Sequence, residues 1–392
     1  MKLEVIATKV GLASFTIIMV VGNGLFIPIM PSIQDELYLT AGQTSFLLSV
    51  FSYAGALMIP VSGWLASYIG RRNVVIFSLV GLVLGCVVAS LAGFTNNPDY
   101  AYAAILIGRI LQGLGAGAAA PMGFILASEL YQKTEQGKMF SFLEVINGFS
   151  KALSPALGGF IVAYYWQLGF VWYMAIALIA LVAAITLLPN QLEKGSTHSN
   201  MKIRFYWRGL LPILTTGFLI MFLLYGLLFV LSSMISHAAN RSLFISLPLA
   251  ILVIMSYLYG RTPLLSFKQL QHILRGGMIV LIIAVGIASF GYISIVYVAT
   301  SACLVGLAAG VMLPASTSAL LHVVPDELRD KALSWLSMIR FLGVASGPIV
   351  FAIWSSEWKE NVVYLLGITG SAGIILFISN QEKEDFYTTK GT

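Results

Sequence analysis

Residues 108–159 read GRILQGLGAGAAAPMGFILASELYQKTEQGKMFSFLEVINGFSKALSPALGG. Two long apolar stretches flank a short charged turn, and both carry residues that a helix in lipid avoids: Arg109, Glu144, Asn147 and Lys151. A charge at the centre of a bilayer costs about 3 kcal/mol or more, so such residues face a protein interior or a watery cavity. The same stretches hold Gly113, Gly115, Gly117 and Ala118 ahead of Pro121, then Ser154, Pro155, Gly158 and Gly159. Small residues at this density let helix backbones approach closely. The segment predicts two helices that line a polar path and pack tightly beside it.

The rest of the chain has the same character. Of its 392 residues 58% are hydrophobic and 10% charged. A soluble domain is roughly 25% charged, so the expected class is an all-α integral membrane protein. The net charge of +6 does not indicate a nucleic-acid partner, because the basic residues sit in turns between apolar runs. Cys86 and Cys303 both lie in apolar segments, with no disulfide framework and no metal-ligand spacing. Lys2 and Lys9 precede an apolar run that superficially resembles a signal peptide. That run continues to Ile29 without a small-residue cleavage site, and is read as the first span.

At about 20 apolar residues per crossing, twelve helices are predicted. They lie over 8–30, 43–66, 74–94, 101–124, 139–164, 167–188, 209–235, 241–259, 276–295, 297–321, 332–354 and 361–379. An even number puts both termini on one side of the membrane. Of the 22 Lys and Arg residues, seventeen fall in the loops and ends of that side, against Arg241 and Lys359 on the other. This asymmetry predicts a multi-pass protein of the cell membrane with cytoplasmic termini. Trp64, Trp207 and Trp335 fall near inner helix ends, and Trp166, Trp172, Trp354 and Trp358 near outer ones, as in an aromatic belt.

The chain also repeats itself. A shift of 193 residues superposes Gly113 on Gly306, Gly117 on Gly310, Pro121 on Pro314, Lys138 on Lys331, Ser141 on Ser334 and Pro155 on Pro348. Two parallel six-helix pseudo-repeats follow, over 1–188 and 208–392, joined by a cytoplasmic linker at 189–207. That arrangement suits a transporter that rocks about a midplane site.

The turn after the second span reads Gly63-Trp64-Leu65-Ala66-Ser67-Tyr68-Ile69-Gly70-Arg71-Arg72. It resembles the loop signature of the major facilitator superfamily, G-x-L-a-D-r-x-G-r-r. Ser67 stands where the family's acid is usual, and Tyr68 where a basic residue is usual. Arg109 with Gln112, Gly113, Gly115 and Gly117 is similar to the family's fourth-helix motif. Gly148 to Gly159 resembles in part the fifth-helix motif of the drug:proton antiporter branch, with Ser150 and Ser154 replacing two of its glycines. The resemblance implies a cytoplasmic gate at Gly63, Ser67, Gly70, Arg71 and Arg72, and Glu129, at the inner end of the fourth span, is read as a gate partner. It implies a coupling role for Arg109. Gly113, Gly117, Pro155, Gly158, Gly159 and Pro348 are expected to pack or bend helices.

Within the fifth span Glu144, Asn147, Lys151 and Ser154 recur at spacings of three, four and three, along one helix face. Glu144 is the expected proton carrier, on the argument that desolvation raises a carboxyl pKa. Arg340 aligns with Asn147 under the repeat and is read as a second cavity cation. Arg109, Lys151 and Arg340 oppose the single acid Glu144 inside the spans, and Asn23 occupies the first helix where relatives often hold an acid. Lys151, Arg340, Asn147, Asn23 and Gln112 are therefore the expected substrate contacts. The aromatic residues Phe26, Tyr53, Phe222 and Tyr225 are weighed as ligand surface against ordinary packing.

No G-x-x-x-x-G-K-[ST] loop occurs, so an ion gradient rather than ATP supplies the energy and no cofactor is expected. The composite expectation is proton-coupled export of a small anionic or zwitterionic compound, such as a siderophore-like metabolite or drug, by a monomer in the bilayer. Proton-coupled nutrient uptake and lipid handling on the same scaffold are the alternatives.

Overall fold

The first predicted span is not one helix. In the computed structural model α1 (Lys2–Gly24) ends in a corner, and α2 (Met30–Glu36) restarts beyond it. Pro28 and Pro31 explain the break, since neither can donate an amide to the carbonyl four residues earlier. The corner turns on short bonds instead, from Phe26 N–H to Asn23 O at 3.3 Å and Ile29 N–H to Phe26 O at 3.1 Å.

The structure describes residues 2–131, 133–162, 164–188, 207–262, 265–291, 293–325 and 328–354. The expected twelfth span at 361–379 and residues 189–206 of the expected linker lie outside the described residues. Helices α3 (Ala41–Ile69), α4 (Arg71–Leu91), α5 (Pro98–Leu130), α6 (Lys133–Val162) and α7 (Gln167–Leu187) follow the corner. Then come α8 (Trp207–Met234), α9 (Ala238–Gly260), α10 (Phe267–Ala288), α11 (Ile295–Val323) and α12 (Arg329–Trp354). Among the described residues ten helices are long and apolar enough to cross a membrane, and Thr8–Gly24 is a shorter apolar helix.

Two boundaries have clear local causes. α3 begins at a capping box in which Thr40 Oγ1 accepts from Gln43 N–H and Gln43 Oε1 from Thr40 N–H. α10 starts nine residues before its expected position for the same reason, Ser266 and Gln269 forming the reciprocal pair. It also ends earlier, at Ala288, so the expected span at 276–295 is displaced. The apolar window located the lipid-crossing part and missed the polar entry turns.

The chain divides into two compact units, Met1–Ser199 with Ser232–Ser246, and Asn200–Leu231 with Leu247–Thr392. In the first, α5 lies against α4, α3 and α1. A Cβ on Gly113 would collide with the carbonyl oxygen of Phe51, and one on Gly117 would stand 2.5 Å from Gly55 Cα, so α5 meets α3 backbone to backbone. Another face of α5 meets α4, where a Cβ on Gly108 would stand 2.6 Å from Gly85 O. In the second unit α11 repeats the device on α9, with Gly306 against Pro248 O and Gly310 against Leu252 O. The glycines are 193 apart between units (113 to 306, 117 to 310), whereas the carbonyls they meet are 197 apart (51 to 248, 55 to 252). The same contact thus recurs in the second unit with about one helical turn, 3.6 residues, less chain between the two helices. Gly343 and Gly347 of α12 pack likewise on Phe218 and Phe222 of α8.

The expected aromatic belt holds in part. Trp64 and Trp172 are exposed at 56% and 57%, but Trp166 is 2% exposed and packs edge-on to Phe170. Its ring closes the unit's core rather than marking an interface. Trp358, and the side chains of Trp207 and Trp354, lie outside the described residues.

Candidate functional site

Arg109 is completely buried in the first unit. Its Nε donates to Leu47 O at 3.3 Å, and its Nη1 to Gly22 O at 3.1 Å and Gln112 Oε1 at 3.1 Å. The guanidinium lies between two rings, 4.6 Å from the Phe26 centroid and 4.2 Å from that of Phe51. Such cation–π contacts contribute roughly 2 kcal/mol each when desolvated. The local fold explains why Gly22 O is available: the amide of Phe26, four residues on, has turned to Asn23 O at the corner. Every one of these partners is neutral, and among the described residues Arg109 makes no ion pair. Its Nη2 and the Nε2 of Gln112 are buried donors without hydrogen-bond acceptors among the described residues.

Asn23, expected to touch substrate, is 1% exposed. Its Oδ1 accepts from Ser52 Oγ–H at 2.8 Å, and its Nδ2 donates to Met19 O at 3.4 Å. Gln112 is as fully enclosed, and Tyr173 donates its hydroxyl to Ile18 O at 3.0 Å. Asn23, Ser52, Arg109, Gln112 and Tyr173 therefore form one sealed polar core around α1. Phe26 completes it, as packing rather than ligand surface, and in the second unit Phe222 and Tyr225 are likewise buried.

The polar line on α6 is more open. Glu144 is exposed, Asn147 and Lys151 are half-buried, and Ser154 is buried. The described residues leave Glu144, the expected proton carrier, uncovered. Asn147 Oδ1 and Ser154 Oγ are buried polar atoms without hydrogen-bond partners among the described residues. Ser154 sits where α6 meets the end of α1: a Cβ on Gly24 would collide with its hydroxyl, and one on Gly158 with Leu25 O. Pro155 and Gly159 are buried beside them, and on α12 Pro348 lies one residue past the contact of Gly347.

Arg340 of the second unit is part-buried. Its Nη2 donates to Leu313 O at 2.7 Å, Ser316 Oγ at 2.7 Å and Thr317 Oγ1 at 3.0 Å, tying α12 to α11. This arginine, read from the sequence as a cavity cation, makes interhelical ties with its Nη2.

The α3–α4 turn has a sharper geometry than its basic sequence alone implies. Gly70 has φ 84° and ψ 151°, a conformation essentially restricted to glycine, although a Cβ would meet nothing within 4 Å. The turn aims its two arginines apart. Arg71 forms an ion pair with Glu129 near the end of α5. Arg72 donates to Ile185 O at 3.0 Å and Leu188 O at 3.1 Å, capping the C-terminus of α7 where a cation complements the helix dipole. Ser67 donates to Trp64 O at 2.6 Å within its own helix, so it does not replace the usual carboxylate. Gly63 lies a turn earlier on α3.

Sequence reasoning missed Ser52, Tyr173, Ser232 and Arg241. The last had a signal: it is a cation in the first turn of α9, against the helix dipole.

Comparison with known proteins agrees with this arrangement. The chain is 28% identical over 401 residues to the bacillibactin exporter of Bacillus subtilis, covering 98% of this chain and 99% of that protein. The human organic anion transporter MFSD10 (TETRAN) has a similar structure, with TM-score 0.67, 16% identity, and coverage of 94% of this chain and 98% of that one. A D-xylose-proton symporter matches with TM-score 0.69 and 19% identity over 95% of this chain and 96% of that one. At those identities the two structures establish likeness of fold alone. The model of the Major Facilitator Superfamily matches residues 12–296, well over half of the chain. The glycine-packed helices, the buried arginine and this match together place the chain in the Major Facilitator Superfamily, as a multi-pass membrane transporter and not an enzyme.

Proposed function

We propose that the protein is a proton-coupled exporter of a small organic anion or zwitterion, with siderophore-type metabolites as the leading cargo. The sign of the cargo's charge rests on Arg109, a buried guanidinium whose hydrogen-bond acceptors are all neutral. A charge held in a low-dielectric interior projects a field that water screens poorly. Lys151, on α6 of the same unit, adds to it, and Glu144 is the one acid within the spans predicted for that unit. Direction is supported by the full-length relative that exports bacillibactin, which makes bacillibactin the first compound to test. Uptake and lipid handling have no observation in their favour beyond the shared fold.

Glu144 and Lys151 lie two turns apart on α6, with Asn147 between them. In this reading the cargo's anionic end binds at Lys151, and its hydroxyl or ammonium donors bind the Glu144 carboxylate. A proton on Glu144 then competes with the cargo for the same oxygens, which is the mutual exclusion that antiport needs.

The test uses everted membrane vesicles energised to an acidic interior. Accumulation of bacillibactin that collapses with a protonophore is expected, and loss of preloaded compound under the same gradient would establish uptake instead. Lys151→Ala is expected to raise the KM for an anionic cargo about tenfold, a difference of ~1.4 kcal/mol, while Lys133→Ala leaves it unchanged. Equal effects from the two would remove the anion reading. Glu144→Gln is expected to abolish pH-driven accumulation while counterflow exchange of cargo continues. Undiminished pH-driven transport by that variant would move proton coupling elsewhere.

A further inference from the structure

Two prolines decide which carbonyls the α1–α2 corner leaves over. In a continuous helix the amide of residue 31 would bond Ile27 O, but that residue is Pro31 and has none to give. Ser232, 1% exposed, donates its hydroxyl to Ile27 O at 2.8 Å instead. One residue on, the amide of Ser32 turns to Ile29 O at 3.0 Å, which leaves Pro28 O without a helical donor. Arg241 takes it, its Nη1 donating to Pro28 O at 3.0 Å.

The rest of this guanidinium is also used. Its Nε donates to Ile235 O at 2.8 Å and its Nη2 to Ser236 O at 3.1 Å, and the residue is 4% exposed. A cation in the first turn of a helix stands against the helix dipole, so this position is stabilised by the carbonyls it binds and not by its own helix. Ser232 and Arg241 bracket the turn between α8 and α9, and the segment Ser232–Ser246 belongs with the first unit although its neighbours on both sides in sequence do not. Two adjacent carbonyls and two donors are thus the polar fastening of that segment to the corner. In the same corner Leu25, Phe26, Ile29 and Met30 are almost fully buried.

We propose that Ser232 and Arg241 form a releasable clasp on the α1–α2 corner, a positioning pair whose exchange for water uncovers the corner during the transport cycle. The acceptors favour release. All are neutral backbone oxygens, and the carboxylate that attracts Arg241, that of Asp35 on α2, is exposed, so opening the clasp separates no buried ion pair, the costly event in a low-dielectric site. Water can supply donors to Ile27 O and Pro28 O, and acceptors to the guanidinium, once it reaches them. The prolines also prevent the corner from closing into continuous helix when the clasp is open, which leaves a receptor for the same donors to return to.

The experiment uses the purified full chain in detergent, with Cys303→Ser to remove the half-buried thiol. Ile29→Cys then places a reporter at a position of the corner that is 0% exposed, next in sequence to the Pro28 carbonyl that Arg241 binds, and native Cys86, also 0% exposed, reports on general unfolding. Modification by a water-soluble maleimide is followed at both positions. Adding Arg241→Ala is expected to raise the rate at position 29 about tenfold or more, as befits loss of a charge-assisted hydrogen bond, with Cys86 still protected. Ser232→Ala should raise it less, and Arg241→Lys should fall between. An unchanged rate at position 29 in Arg241→Ala overturns the clasp. So does labelling of Cys86 in step with it, which would make Arg241 a residue of global folding.

Discussion

Arg109→Ala abolishes transport and destabilises the first unit by about 3 kcal/mol, the scale of a large-to-small change in a packed core. The substitution strips donors from Gly22 O, Leu47 O and Gln112 Oε1 and empties the space between Phe26 and Phe51. Orphaned buried acceptors cost roughly 1–3 kcal/mol each. Removing an unpaired buried charge returns part of that, because the charge itself was expensive to desolvate. Arg109→Met separates the two contributions. It keeps most of the volume and discards the charge, so stability should stay within ~1.5 kcal/mol of wild type. Transport should nevertheless be lost, since the positive field and the hold on the α1 corner go with the guanidinium. Thermal unfolding of the purified protein reads the first quantity and vesicle accumulation the second. A Met variant that transports at the wild-type rate would reduce Arg109 to filler.

The second large effect belongs to a residue with no side chain. Gly117→Ala puts a Cβ 2.5 Å from Gly55 Cα, and nearer still to the carbonyl oxygen of that residue. Both obstacles are backbone, so neither can rotate away. α3 and α5 must separate, and Gly113 beside Phe51 O ensures that the loss spreads along the contact. The expected cost is on the order of 3 kcal/mol, at or above the usual range for overpacking, and Gly117→Val is expected to yield no folded protein. Gly81→Ala is the matched control, since its Cβ meets nothing within 4 Å. There the substitution should be neutral or stabilise by up to about 1 kcal/mol through helix propensity. Size-exclusion profiles of the solubilised variants, with their melting temperatures, check both. A Gly117→Ala protein that melts with wild type would show that the two helices are not in close backbone contact.

The residues around Arg109 show how far sequence reading reaches. An arginine well inside an apolar helix announces its own burial, because lipid does not accept it. Its motif neighbour Gln112 could be picked out for the same reason. Neither fact shows that Asn23 turns inward to Ser52, or that Phe26 and Phe51 sandwich the cation. Those pairings join residues many positions apart, and no spacing rule links them. Glu144 shows the same limit. Its place on an apolar helix marks an ionisable group at membrane depth, but which neighbours cover that face is a tertiary matter, and among the described residues none does so fully.

The α3–α4 turn lies between these cases. Gly70 and the two arginines were legible as a tight basic turn, and Glu129 as a partner near it. Their division of labour was not, since the backbone angle at Gly70 sends Arg71 to Glu129 and Arg72 to the last carbonyls of α7.

Local chemistry determined the class of the protein, most of its spans and its internal duplication. Crossing a bilayer demands about 20 apolar residues in a row, and tight helix crossings demand glycine, and both demands are written along the chain. Tertiary structure alone decided what the broken first helix does with its leftover carbonyls. Pro28 and Pro31 guarantee that acceptors remain there, but a hydrogen bond goes to whichever donor folding brings within about 3 Å. Arg109, Ser232 and Arg241 arrive from α5, the end of α8 and the start of α9, and only the folded chain brings them to one corner.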